Sequence, residues 1–163
     1  DMDFEEISKT ETKHHYMLKY NEETLKKYPY KFELHVIYEI IGDTLTVTYK
    51  VKNIDDKTIY FGLGGHPAFN CDYSNGEYEI VFSENDKTNK KILEFDFTGF
   101  PYLALWSKKG APFVCIEPWQ NTADRIDSTQ IYKDKENIIE LSKDKEFECK
   151  YSIKFSKIKK FKK

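Results

Sequence analysis

The sequence predicts an all-β protein built of antiparallel strands, a sandwich or a barrel. Three observations carry this. Apolar residues recur at every second position through most of the chain, which is the period of a pleated strand with one covered face. Phe and Tyr, which suit pleated surfaces, number twelve each, and aromatic residues make up 16% of the 163. Helical spacing is confined to one short stretch, NEETLKKY at 21–28, with room for little more than one turn.

The strands follow in order. In KFELHVIYEI the apolar set is Phe32, Leu34, Val36, Tyr38 and Ile40, and in LTVTYKV it is Leu45, Val47, Tyr49 and Val51. Gly42 and Asp43 between them form a two-residue turn whose glycine allows positive φ. Setting Ile41 opposite Thr44 places Ile40 against Leu45, Tyr38 against Val47, Val36 against Tyr49 and Leu34 against Val51. Both apolar sets then share one face, as a hairpin requires. Further strands are expected at 58–63 (after an Asp55-Asp56 turn), 78–83, 92–97, 102–107, 112–117 (after a turn at 109–110) and 146–155. No internal repeat and no Pro/Gly/Ser-rich linker divides the chain, so residues 1–163 read as a single domain.

Composition narrows the function classes. The net charge is −2, and Arg125 is the only arginine. Lysines mostly alternate with acidic residues, as on a solvated face, which argues against a nucleic-acid partner. The basic end KFSKIKKFKK reads as a solvated end or a frayed last strand rather than a binding arm. No apolar run approaches the roughly 20 residues of a membrane helix, and no signal peptide is visible, so no membrane partner is expected and a cytoplasmic location fits. Cys71, Cys115 and Cys149 are odd in number, widely spaced and form no CxxC pair, so free thiols are expected, with neither a disulfide framework nor a zinc ribbon. His14 and His15 are neighbours and would face opposite sides of a strand, and His35 falls on the polar face of its strand, where exposure is expected. Oligomeric state is left open.

Two stretches could carry chemistry. In GLGGHPAFNC, Gly62 to Cys71, three glycines precede a lone histidine and a proline. Such glycines either form a turn with unusual backbone angles or leave space for a ligand beside the backbone. An imidazole there can exchange a proton near neutral pH, or it can be a structural histidine bonded to a carbonyl. In APFVCIEPW, a strand would put Phe113, Cys115 and Glu117 on one face, with Val114 and Ile116 on the other. Burial disfavours the charged form of a carboxyl group, which makes a carboxyl beside an apolar floor a useful proton carrier. The other reading is that the strand end slips and Glu117 points to solvent. Pro118 ends the strand, and Trp119 offers a flat face on which the C–H face of a sugar can stack. A Cys71–His66 nucleophile pair has nothing to set its geometry.

GGHPAFN, GFPYLALWSKKGAPFVCIEPW and ADRIDS, in that order on an all-β chain, resemble the aldose 1-epimerases, or galactose mutarotases, and within them the bacterial LacX-like branch. The resemblance runs through NEETLKKYPYKFELHVIYEIIGDTLTVTYKVKN to the closing strand. It implies a large antiparallel β-sandwich with the sugar site on a concave face, and cofactor-free interconversion of the α and β anomers of a hexose or hexose phosphate. It implies that His66 protonates the ring oxygen and that Glu117 takes the proton of the anomeric hydroxyl. Asn70, Phe69, Trp119 and Asp124 stand where sugar contacts are expected, no metal is implied, and the two proton carriers should converge on one hexose-sized hollow from opposite sides. A sugar-binding module with the same fold and little turnover is the alternative. A phosphosugar would need basic residues; Arg125 is available for a phosphate or for a salt bridge to Asp124 or Asp127.

The chain departs from the family in two places. Family members carry a β-rich segment ahead of the stretch that Asp1-Met2-Asp3-Phe4 resembles, so the chain reads as the C-terminal portion of a longer epimerase-like domain that lacks its leading strands. A longer section, with a sugar-binding aspartate, is also expected where Asn89 runs into Lys90, and Asp86 and Asp96 do not replace it.

Overall fold

The structure is a computed structural model that describes residues 2–72, 80 and 93–156. Strands dominate: β1 Glu5–Lys9, β2 Lys13–Lys19, β3 Phe32–Ile41, β4 Thr44–Asn53, β5 Ile59–Phe61, β6 Ala68–Asn70, β7 Leu93–Asp96, β8 Tyr102–Trp106, β9 Phe113–Trp119, β10 Ile139–Leu141 and β11 Glu146–Phe155. The expected helical turn is α1, Glu22–Lys27. Asn21 caps it: its side-chain oxygen accepts from the Thr24 N–H at 2.9 Å, and the Thr24 hydroxyl oxygen accepts from the Asn21 N–H at 2.8 Å.

The β3–β4 hairpin has the predicted register residue for residue, from Ile41 opposite Thr44 to Leu34 opposite Val51, and Gly42 takes a φ of 62° in the turn. β1, β2, β6 and β10 are additional to the strands expected from the sequence. All five residues of β1 are exposed, so no apolar alternation marks it. β6 and β10 have three residues each, too few to show a period. The strand expected over 78–83 lies, except for Ile80, outside the described residues, as do the Asn89–Lys90 junction and most of the basic end.

Six strands form one sheet in the order β1-β2-β3-β4-β11-β7, and three form another in the order β6-β9-β8. β5 and β10 make a two-stranded ribbon. β11 pairs with β4 over nine positions, which carries the last strand back to the middle of the large sheet. Period-two alternation puts Val36, Val47, Cys149, Tyr151 and Ile153 into one buried cluster, and Phe69 and Phe100 from outside the large sheet pack on it. The Phe95 ring lies 5.3 Å from Tyr151 and 6.3 Å from Phe69, so aromatic contacts join the two layers. This is a β-sandwich. A second cluster, Val51, Ile59, Phe61 and Leu141, seats the ribbon on the far end of the hairpin.

His35 is only partly exposed, contrary to expectation. Its Nδ1 lies 2.9 Å from Nε2 of His15, and its Nε2 lies 3.9 Å from the Glu33 carboxylate. Burial, and then His35, hold the His15 imidazole below its ordinary range. His14 turns the other way, with Nδ1 3.1 Å from the Tyr16 hydroxyl.

Asn53 ties three segments together from inside. It is fully buried, its amide donates to the carbonyls of Lys57 and Leu141 at 2.9 and 2.8 Å, and its oxygen accepts from the Asp55 N–H at 2.8 Å. Asn53→Ala strands two carbonyls and one N–H without partners, and each such loss costs on the order of 1–3 kcal/mol. The expected outcome is a loss of about 3 kcal/mol of unfolding free energy, read as a lower urea midpoint at unchanged slope.

Candidate active site

The two stretches singled out in the sequence run antiparallel beside one another. Ala68 pairs with Cys115, Phe69 with Val114 and Asn70 with Phe113. The same register continues on both sides of β6. Gly64 bridges Trp119, the Gly65 N–H donates to the Pro118 carbonyl, the Gln120 N–H to the Leu63 carbonyl and the Cys71 N–H to the Pro112 carbonyl. No slip interrupts it, so His66 stands directly opposite Glu117 on the adjacent strand. Directly opposed residues share a face and bring their side chains together, and Nε2 of His66 lies 3.3 Å from Oε1 of Glu117. The His66 side chain is 64% exposed and that of Glu117 4%.

Alternation sorts the neighbours. Gly62, Gly64, His66, Ala68 and Asn70 share a face with Phe113, Cys115, Glu117 and Trp119, and β8 adds Tyr102, Ala104 and Trp106, opposite Trp119, Glu117 and Cys115. The small side chain of Ala104 lies next to Glu117 and that of Ala68 next to Cys115, with the large aromatic residues beyond them. Trp106 is half exposed, and its ring meets His66 edge-on at 6.1 Å between centroids. The sequence reading passed over Trp106, although the aromatic–small–aromatic spacing of Tyr102, Ala104 and Trp106 marks the same face. The opposite face of these strands is turned into the core. Phe69 lies there, packed on Phe95, which removes it from the sugar contacts expected of it.

The glycines serve neither of the purposes expected of them. Positive φ among the described glycines is confined to Gly42, Gly99 and Gly110. A Cβ at Gly62 would fall 2.5 Å from the Asn121 amide, one at Gly64 would fall 2.7 Å from Cδ1 of Trp119, and one at Gly65 would fall 2.8 Å from the Tyr151 ring. The chain's own side chains fill the space. On the site face the missing Cβ of Gly64 lets the Trp119 indole lie across the neighbouring strand beside His66.

The remaining expected contacts lie apart from the pair. Asn70 shares the face of His66 but stands four residues along, opposite Phe113. Asp124 is paired with Lys135 at 2.7 Å, and Arg125 makes a two-pronged contact with Asp127 at 2.9 and 3.3 Å. Cys71 falls on the core-side parity, so the thiol beside His66 is that of Cys115. His66 and Glu117 are side by side rather than across a hollow from each other. One cavity of about 270 Å³ is lined by residues between 123 and 136, including Asp124, Arg125 and Tyr132, and another of about 220 Å³ by Tyr28, Phe32, Leu34, Phe61 and Tyr132 among others. Neither is lined by His66 or Glu117; of this pair the imidazole is exposed and the carboxylate buried.

The aldose 1-epimerase family model matches residues 1–159, and the chain belongs to that family. It is 27% identical over 184 aligned positions to the protein LacX of Lactococcus lactis subsp. lactis, an alignment covering 76% of this chain and 62% of LacX. The chain thus spans less than two thirds of the curated relatives it matches. Among solved structures, a galactose mutarotase related enzyme from Lactobacillus acidophilus superposes with a TM-score of 0.84 at 27% identity, over 95% of this chain and 71% of that one. A galactose mutarotase-like protein from Lactobacillus casei shares the fold, with a TM-score of 0.80 at 23% identity, over 96% of this chain and 74% of that one. No helix among the described residues is long and apolar enough to cross a membrane.

Gly64→Ala tests the seat of Trp119. The new methyl meets the indole and also the Pro118 carbonyl oxygen at 3.2 Å, which is backbone and cannot swing away. In a Trp106→Phe background, where Trp119 is the remaining tryptophan, the expected result is red-shifted tryptophan emission and a loss of about 1–3 kcal/mol in stability.

Proposed function

We propose that the protein is an aldose 1-epimerase acting on a hexose, with His66 and Glu117 as its two proton carriers. The observation that carries this reading is their direct opposition, Glu117 on β9 and His66 in the segment that pairs with it ahead of β6, on the face that also carries Trp106 and Trp119. The two oxygens that exchange protons in mutarotation, the ring oxygen and the anomeric hydroxyl, are bonded to one carbon and lie closer together than a hydrogen bond is long. An acid and a base that serve them must reach two atoms bonded to one carbon, and the reactive atoms of His66 and Glu117 stand 3.3 Å apart.

The reaction then runs as follows. The His66 imidazolium gives its proton to the ring oxygen while the Glu117 carboxylate takes the proton of the anomeric hydroxyl. The bond between the anomeric carbon and the ring oxygen breaks, and the anomeric C–O becomes a carbonyl. Rotation about C1–C2 turns the other face of the carbonyl to the freed hydroxyl. Closure returns both protons, with acid and base exchanged. The starting form needs an imidazolium beside a carboxylate, and opposite charges at contact distance attract.

The test is polarimetry on freshly dissolved α-glucose and α-galactose with the full-length protein. Acceleration over buffer is expected, falling by about 10²–10⁴-fold in Glu117→Gln and in His66→Asn, and by no more than a few-fold in Asp124→Asn. Saturable sugar binding without acceleration would replace the enzyme by a binding module.

A further inference from the structure

The site face carries a third donor atom that proton transfer does not use. Cys115 stands two residues before Glu117 on β9, so its thiol and the carboxylate share a face, and His66 opposes the latter. One ligand atom from each of His66, Cys115 and Glu117 lies within 4.8 Å of the other two. We propose that His66, Cys115 and Glu117 form a binding site for a borderline-soft divalent cation, Zn²⁺, whose occupancy blocks the sugar site.

The geometry suits that ion. Tetrahedral zinc with its usual bonds to sulfur, nitrogen and oxygen holds its ligand atoms roughly 3.3–3.6 Å apart. His66 and Glu117 already stand at 3.3 Å. The separations to the Cys115 sulfur are at most 4.8 Å, so up to about an ångström has to close when the ion binds. Three protein ligands leave a fourth position facing solvent on the His66 side. A thiolate and a carboxylate together balance the charge of the ion, so neither is left buried and unpaired. The mixed sulfur, nitrogen and oxygen set favours Zn²⁺ over Mg²⁺ and Ca²⁺, which prefer oxygen alone.

One feature opposes binding. Burial, and then the Glu117 carboxylate, push the Cys115 thiol above its ordinary range. A coordinated cation reverses that balance, because the metal displaces the thiol proton, which leaves for solvent as the sulfur–metal bond forms. With zinc bound, the imidazole nitrogen and the carboxylate are ligands and can no longer move protons. The blocking effect rests on the epimerase reading; the binding does not.

The experiment adds Co²⁺ to the reduced, metal-stripped full-length protein and follows its absorption, then displaces Co²⁺ with Zn²⁺. A thiolate-to-cobalt charge-transfer band in the near ultraviolet is expected for the wild type and for Cys71→Ala. It should vanish in Cys115→Ser and Cys115→Ala, with Zn²⁺ at least about tenfold weaker, since the thiolate is the softest of the three donors. Absence of the band in the wild type, or zinc binding in Cys115→Ser as tight as in the wild type, overturns the site. Neither readout uses sugar, so a protein without epimerase activity leaves the result intact. If mutarotation is accelerated, one equivalent of Zn²⁺ should stop it and EDTA should restore it; full activity with zinc bound would overturn the block.

Discussion

The structure around the site depends on one constraint, the unbroken antiparallel register between residues 62–71 and 112–121. Strand alternation makes this register serve two ends at once. One face of these strands sends Phe69 against Phe95 and fits Gly65 under Tyr151. The other holds His66 against Glu117. A slip of one residue would reverse every side chain. It would bring Phe69 out of a core where burying such a ring is worth about 1.5–3 kcal/mol, and it would part His66 from Glu117. Packing on the hidden face thus sets the positions of His66 and Glu117 on the other.

The glycines complete this arrangement. With a Cβ at Gly64 the indole of Trp119 could not lie as close to the neighbouring strand, and with one at Gly65 the strand could not approach Tyr151 as it does. Trp119 is therefore seated against the backbone at Gly64, while Trp106 meets the rings of His66 and Phe113. A site built on strands whose supporting side chains are packed keeps its geometry without ligand.

Much of the fold was legible in the sequence because its largest parts alternate without interruption. The β3–β4 register followed from one turn and two apolar sets, and β11 from its own alternation. β1 was hidden because it is an exposed polar edge, and β10 because three residues carry no period. His66 and Glu117 could each be named from their surroundings, but not their contact. It depends on pairing across some fifty intervening positions, most of them beyond any local pattern. Phe69 was misread because its neighbour in sequence, His66, is only three residues away; that odd separation puts it on the other face once the strand is in place. The glycine-rich stretch was misread for a related reason, since Asn121, Trp119 and Tyr151 press on it from distant parts of the chain.

The unequal burial of the pair bears on how it can work. Glu117 sits in the middle strand of its sheet, flanked by β6 and β8, almost without solvent contact. Its carboxyl group has little freedom to move. His66 lies where a glycine-rich approach enters β6, and two thirds of its side chain is open. Under the proposed epimerase reading, one group has to align the anomeric hydroxyl and the other has to follow the ring oxygen as the ring opens and closes. When the C–O bond breaks in that scheme, the ring oxygen moves away with the rest of the chain, while the new carbonyl stays near its partner. The buried Glu117 and the exposed His66 would match those two displacements, and the unequal burial is then a division of labour that belongs to the proposal.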